Sequence, residues 1–152
     1  MTNNNENDLL RTIKDWLEAD DEVRNLAQHI IIDNGNVEEI EQAFSRYSPL
    51  VVIGFRREEA GEYPANTPRV YEARIYFTIT AMVHTYGNVN INRGEVFELK
   101  EKIINRLLGK GFKDYGVGTI IYEGSQYIDI ILKPYGVGVE INFVGIGGVR
   151  EY

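Results

Sequence analysis

Between Tyr71 and His84 the chain alternates without a break. Tyr71, Ala73, Ile75, Phe77, Ile79, Ala81 and Val83 hold one parity, and Glu72, Arg74, Tyr76, Thr78, Thr80, Met82 and His84 hold the other. Successive side chains of an extended chain point to opposite faces of a sheet, so this period of two predicts a strand whose odd-numbered face lies in a core. At about fourteen residues it is more than twice the usual strand length of about five or six. Such a strand either bends at a bulge or projects beyond the domain that holds it. Its even-numbered face is then wet or touches another subunit.

The other segments supply layers for that strand. Asn7 or Asp8 can cap a helix whose stripe is Leu9, Leu10, Ile13, Trp16 and Leu17. Asp20 and Asp21 interrupt the pattern, and Val23, Leu26 and Ala27 extend it as a second short helix. The β-branched run from His29 to Asp33 reads as a short strand ending at the turn Asn34-Gly35. Asn36 with Glu39 resembles a capping box that opens a helix with Val37, Ile40, Ala43, Phe44 and Tyr47 on its buried stripe. After Pro49, the continuous apolar run Leu50–Phe55 predicts a strand covered on both faces. Arg56 to Pro68 is charged and contains Gly61, Pro64 and Pro68, which predicts a long working loop.

Downstream, Tyr86 to Asn92 reads as a turn. Arg93-Gly94-Glu95 leads into a helix bearing Val96, Phe97, Leu99, Ile103, Ile104, Leu107 and Leu108, ended by Gly109 and Gly111. Three strands follow: Thr119–Tyr122, Tyr127–Leu132 and Val137–Val144. Glu123-Gly124-Ser125-Gln126 is expected to turn the first two into a hairpin, and Lys133-Pro134-Tyr135-Gly136 to join the second to the third. The order predicts one α+β domain over residues 1–152, with residues 1–6 expected to fray. Its sheet should be mixed and mostly antiparallel, with the helices packed mainly on one face.

Composition narrows the function classes. The 152 residues contain no cysteine, which excludes disulfides, thiolate metal sites and a cysteine nucleophile. The formal charge of −7 argues against phosphate-backbone binding as the main activity. Residues 1–47 carry eleven acids against four bases, whereas residues 48–152 carry twelve of each. The plain reading of that acidic third is a solvated helical face; the sharper one is a docking surface for a basic partner. The start lacks the basic and apolar regions of a signal peptide, and no run reaches the length of a membrane span, so a cytosolic, soluble product is expected.

No catalytic constellation emerges. Gly145-Ile146-Gly147-Gly148 lacks dinucleotide-site spacing, and Gly109-Lys110-Gly111 lacks the rest of a Walker loop, so both read as backbone turns. His29 and His84 have no ligand partner at metal-site spacing, and His84 is expected to be exposed or between subunits. The pairs Asp20-Asp21, Glu38-Glu39 and Glu58-Glu59 diverge by about 100° on a helix and do not converge on one bond. Ser45, Ser48 and Ser125 lack nucleophile-elbow glycines. Tyr115-Gly116-Val117-Gly118 recurs as Tyr135-Gly136-Val137-Gly138, either a repeated contact surface or two strand entrances where glycine eases a close approach. Ten tyrosines against one tryptophan lean toward assembly, with Tyr63, Tyr76, Tyr86, Tyr115, Tyr135 and Tyr152 outside the core stripes. The expected subunit contacts are Arg56, Arg57, Glu58, Glu59, Tyr63, Glu72, Arg74, Tyr76, Thr78, Thr80 and His84, with no catalytic, cofactor or metal residue.

The stretch Val70–Gly111 is similar to tail terminator (tail completion) proteins of tailed bacteriophages, in the Mu-like, contractile-tail branch. It carries the long alternating strand, an Asn/Arg/Gly turn, the helix start Gly94-Glu95-Val96-Phe97-Glu98-Leu99 and the helix end Asn105-Arg106-Leu107-Leu108-Gly109. The amphipathic first helix, Pro49-Leu50-Val51-Val52-Ile53 and the terminal meander fit the same layout. The resemblance implies a non-enzymatic structural protein of the virion tail, found in the host cytoplasm before assembly. It implies a ring, usually hexameric, that caps the tail tube and joins it to the neck. The implied partners are further copies of itself, the tail tube protein and a neck, connector or sheath protein, with no cofactor, no membrane and no specific nucleic-acid binding. The alternatives are another tail or baseplate subunit, a small-ligand-binding domain or an unrecognised hydrolase.

Overall fold

The structure, a computed structural model, describes residues 6–60, 70–85, 89–108, 111–112, 117–131 and 135–151. In chain order its elements are α1 (Glu6–Glu18), α2 (Asp21–Leu26), β1 (His29–Ile32), α3 (Val37–Arg46), β2 (Leu50–Ala60), β3 (Val70–His84), α4 (Val89–Leu107), β4 (Gly111–Phe112), β5 (Val117–Ile130) and β6 (Gly136–Glu151). One six-stranded sheet has the order β1-β2-β3-β6-β5-β4. Among the described residues only β1 and β2 run parallel, and the other pairs are antiparallel. The α+β class and the mixed, mostly antiparallel sheet therefore match the sequence reading.

The alternating strand lies at the centre. Ile75, Phe77, Ile79, Ala81 and Val83 of β3 are buried with Val51 and Ile53 of β2 and Val137, Val139, Ile141 and Phe143 of β6. Leu9, Leu10, Ile13 and Leu17 of α1, Val23 of α2 and Val96, Leu99, Ile103 and Leu107 of α4 cover that face. Each fully buried Leu, Ile or Phe contributes about 1.5–3 kcal/mol, so this face outweighs any surface ion pair. The opposite parity has its own smaller cluster: Leu50, Val52, Met82 and Ile130 gather around Phe44 of α3. Three helices thus cover one face and α3 covers part of the other, which is why Leu50–Ile53 is apolar at every position.

Local sequence explains the helix joints. Asp20 ends the first stripe because its carboxylate caps α2, accepting from the Glu22 N–H (2.9 Å) and the Val23 N–H (3.1 Å). Its other oxygen faces Arg106 Nε of α4 at 3.9 Å, and that Nε also donates to the Trp16 carbonyl at 3.0 Å. Asn36 caps α3 through its Oδ1, as predicted. The reciprocal half of the capping box is not made. Glu39 instead accepts from Asn34 Nδ2 (3.0 Å), while the Asn36 N–H donates to Asn34 Oδ1 (3.2 Å). Val37 is 60% exposed and does not belong to the buried stripe; Phe97 (45%) and Leu108 (44%) likewise stand out of the α4 stripe.

Four boundaries differ from the sequence reading, and pairing decides each. The expected loop from Arg56 begins as strand: β2 continues to Ala60 because β3 is long enough to pair with it as far as Ala73. Of that loop, residues 61–69 lie outside the described residues. The helix α4 starts at Val89, earlier than Arg93, and ends at Leu107. The expected hairpin at Glu123-Gly124-Ser125-Gln126 is a bulge within one strand, β5, where Tyr122 pairs with Phe143, Gly124 with Asn142, and Glu123 has no counterpart. Gly124 takes φ +137°, a conformation that suits glycine. Gly145-Ile146-Gly147-Gly148 is strand, not turn: β6 runs to Glu151, and between the Ile75–Gly145 and Ala73–Gly148 pairs it has one residue more than β3. The overlong β3 itself has no extra residue; its partner β6 carries the bulge, and glycines accompany it.

The second Tyr-Gly-Val-Gly copy is a strand entrance, as the plainer reading held; Tyr115 and Gly116 of the first copy lie outside the described residues. A Cβ at Gly136 would meet the Val83 carbonyl oxygen and come within 2.7 Å of Phe44 Cζ. Gly94, inside α4, has nothing within 4 Å of that position. Gly136→Ala is expected to destabilise the protein by about 1–3 kcal/mol through overpacking against backbone. Gly94→Ala is expected to stabilise it by about 0.5–1 kcal/mol through helix propensity. Urea melts of the two variants should move in opposite directions.

Candidate functional site

The sheet face opposite α1, α2 and α4 is the candidate site, and two bulges shape it. On the core face, Phe55, Phe77, Phe143 and Tyr122 pair in register across β2, β3, β6 and β5. Just beyond this row, Arg56 in β2 and Glu123 in β5 each stand as an extra residue with no partner in register. An extra residue shifts the parity of its strand, so Arg56 and Arg57 both face outward, as do Glu123 and Gly124. The two extra side chains converge, with Arg56 Nη1 3.9 Å from Glu123 Oε1. Asn142 lies between them: its Oδ1 accepts from Arg56 Nη1 at 3.2 Å and from Thr78 Oγ1 at 2.9 Å.

One row further out, Tyr76 is buried and its hydroxyl donates to Glu59 Oε2 at 3.0 Å. Arg57 covers it, the guanidinium carbon 4.2 Å from the ring centroid and Nη2 3.3 Å from Glu59 Oε1. This end of the face is a charged lattice over one aromatic ring, and an exposed cation over such a ring contributes about 0.5–1 kcal/mol. In the other direction, a shallow groove of about 240 Å³ is lined by Asp33, Val52, Gly54, Phe55, Arg56, Thr78, Thr80 and Glu140. Among the described residues no group of three or more His, Asp or Glu is placed to hold a metal ion.

The expected contact residues divide accordingly. Arg56, Arg57, Glu59, Arg74, Thr78 and Thr80 share the open face or its rim, and Arg57 and Arg74 are exposed. Glu58 stands opposite Ile75 and is half-buried. Tyr63 lies outside the described residues, and Glu72 is placed by its backbone opposite Val149. His84 is not exposed: it is buried, its Nε2–H meets the Phe44 carbonyl oxygen, and its ring packs edge-on to Phe44 at 4.6 Å. The even face is therefore not uniformly wet, because α3 covers its Met82–His84 end and Arg57 its Tyr76 position. His29 instead stacks on Tyr47 at the sheet edge, 4.3 Å between centroids.

Sequence reading missed Asp33, Gly54, Glu123, Glu140 and Asn142. Glu140 and Asn142 sit at the polar positions of the Val137–Val144 strand, a signal that could have found them. Glu123 was hidden in an expected turn, and no local signal marks it as a bulge residue.

No family model and no curated protein matches this sequence. Among solved structures, a chain of the virion of a native gene transfer agent particle is similar, with a TM-score of 0.54 and 12% identity over 88% of this chain and 90% of that chain. At that identity the likeness establishes a shared fold. Removing the Asn142 acceptor should leave Thr78 and Arg56 to water: Asn142→Ala is expected to cost about 1 kcal/mol. A double-mutant cycle between Arg56→Ala and Glu123→Ala, read by chemical denaturation, should give a coupling below about 1 kcal/mol, because both side chains are solvated.

Proposed function

We propose that this chain is a structural component of a phage-like particle, a tail terminator whose ring caps the tail tube and joins it to the neck. The observation that carries the reading is the fold shared with a virion chain along nearly the whole of both lengths. The sequence resemblance over Val70–Gly111 points the same way, and an open, charged sheet face is a surface suited to assembly. The role is non-enzymatic. In the particle, the charge-balanced strands from β2 onward meet the tube, and the acidic segment up to Tyr47 faces outward or toward the neck, where like charge discourages stacking of rings.

Neighbouring subunits of the ring meet at the far end of the β2–β3 pair, where Arg57, Glu59 and Arg74 lie beyond the α3-covered half of the face. A stable contact of this kind buries roughly 800 Å² per partner. Tyr76 is a poor probe of it, since replacing a buried ring disturbs the protomer itself. Arg57→Glu with Arg74→Glu reverses two exposed charges and is expected to lower the solution mass from ring to monomer while the fold persists by circular dichroism. Wild-type protein added below stoichiometry to its tube protein should shorten the tubes. Unchanged tube lengths at molar excess would overturn the capping role and favour a baseplate subunit.

A further inference from the structure

The groove beside Arg56 has a floor that the fold does not require. Gly54 lies inside β2, between buried Ile53 and the partly buried Phe55, where a glycine weakens a strand by entropy and lost packing. At Gly136 and Gly138 the reason is internal: an added Cβ would press on the Val83 or Ala81 carbonyl oxygen. At Gly54 it would meet nothing nearer than Asp33 Cβ at 3.7 Å and Asp33 Oδ2 at 3.8 Å, which is ordinary contact. The space above it is bounded on one side by Asp33 and otherwise belongs to the groove; a strand glycine goes with a nearby bulge, as at Arg56, or with a close approach by another molecule, and the groove leaves room for the second.

The lining chemistry selects what approaches. Asp33 follows β1 and stands over Gly54, while Glu140 pairs with Thr80 on the other side of β3. The Thr78 and Thr80 positions line the groove between them. The single cation, Arg56, is already met by Glu123 and Asn142. Asp33 Oδ1 accepts from the Gly35 N–H at 2.8 Å, and among the described residues no ion pair compensates the charge of Asp33 or Glu140. The groove is therefore short of positive charge.

We propose that the groove over Gly54 receives one basic side chain, an arginine or lysine, presented by a protein partner other than this chain. A partner of opposite charge is favoured by the lining itself, whose two carboxylates have no ion pair among the described residues while its one cation is met by Glu123 and Asn142. The aliphatic stem lies on Gly54 and Val52, and the charged head lies between the two carboxylates with the threonine hydroxyls as acceptors. This surface lies beside the Arg57 and Arg74 end assigned to ring contacts, so losing one need not lose the other.

The test is titration of the full-length, isotope-labelled protein with N-acetyl-arginine methylamide, read by relaxation-optimised amide spectra. Saturable shifts are expected at Gly54, Thr78 and Thr80, weakening as salt rises. Glu140→Gln should weaken binding roughly threefold or more. Gly54→Val, which fills the floor, should abolish binding with the melting temperature and the solution mass retained. Absence of saturable shifts, equal shifts with N-acetyl-glutamate methylamide, or full binding by Gly54→Val would overturn the proposal. Movement of the same amides on diluting the protein alone would overturn the choice of a separate partner, since a second copy would then occupy the groove.

Discussion

The structure depends on the register of one aromatic row. Phe55, Phe77, Phe143 and Tyr122 stand side by side on four adjacent strands, with Phe77 and Phe143 stacked at 5.3 Å and Tyr122 6.0 Å from Phe143. A slip of one residue in any of these strands would turn its aromatic side chain to the open face and carry a polar neighbour inward. Large rings in contact across strands make that slip costly, so the row fixes how β2, β3, β6 and β5 align. Everything outward of it follows from where each strand then runs out of step.

The bulges are that loss of step. Arg56 and Glu123 are inserted directly after their aromatic residues, and both insertions displace charge to the same side of the sheet. The outer face therefore gains a cation and an anion that a regular alternation would have placed elsewhere, and Asn142 and Thr78 hold the cation in place. The bulge at Gly145–Gly148 serves the long strand differently, letting β3 and β6 stay paired past the core to Val70 and Glu151.

The smaller cluster under α3 gives the outer face its limits. Phe44 fills the space above the glycine entrance of β6, and His84 is enclosed by the Phe44 ring and carbonyl. This end serves as a second core, while the remainder, from the groove over Gly54 to Arg74, is left as polar sheet. One sheet face is thus covered along its length and the other only under α3.

Periodicity and local chemistry made part of the fold legible in the chain. The central strand followed from alternation, the buried faces of α1 and α4 from helical spacing, the start of α3 from Asn36, and the coverage of Leu50–Ile53 from its unbroken apolarity. The open face was legible in part, because Thr78 and Thr80 already sat at polar positions of the alternating strand, while Arg56 and Arg57 read as the start of a charged loop. The tertiary structure alone decided whether Glu123-Gly124 is a turn or a bulge, since either suits a glycine with positive φ and only the pairing with Asn142 and Phe143 distinguishes them. It also decided the fate of His84 and Tyr76. Both occupy the polar parity of one strand, and whether such a residue is wet depends on what folds over it: α3 in the first case, the Arg57 side chain in the second. Burial on the second face of a sheet is a non-local property, and it brings together residues such as Arg56 and Asn142 whose separation along the chain leaves no periodic trace.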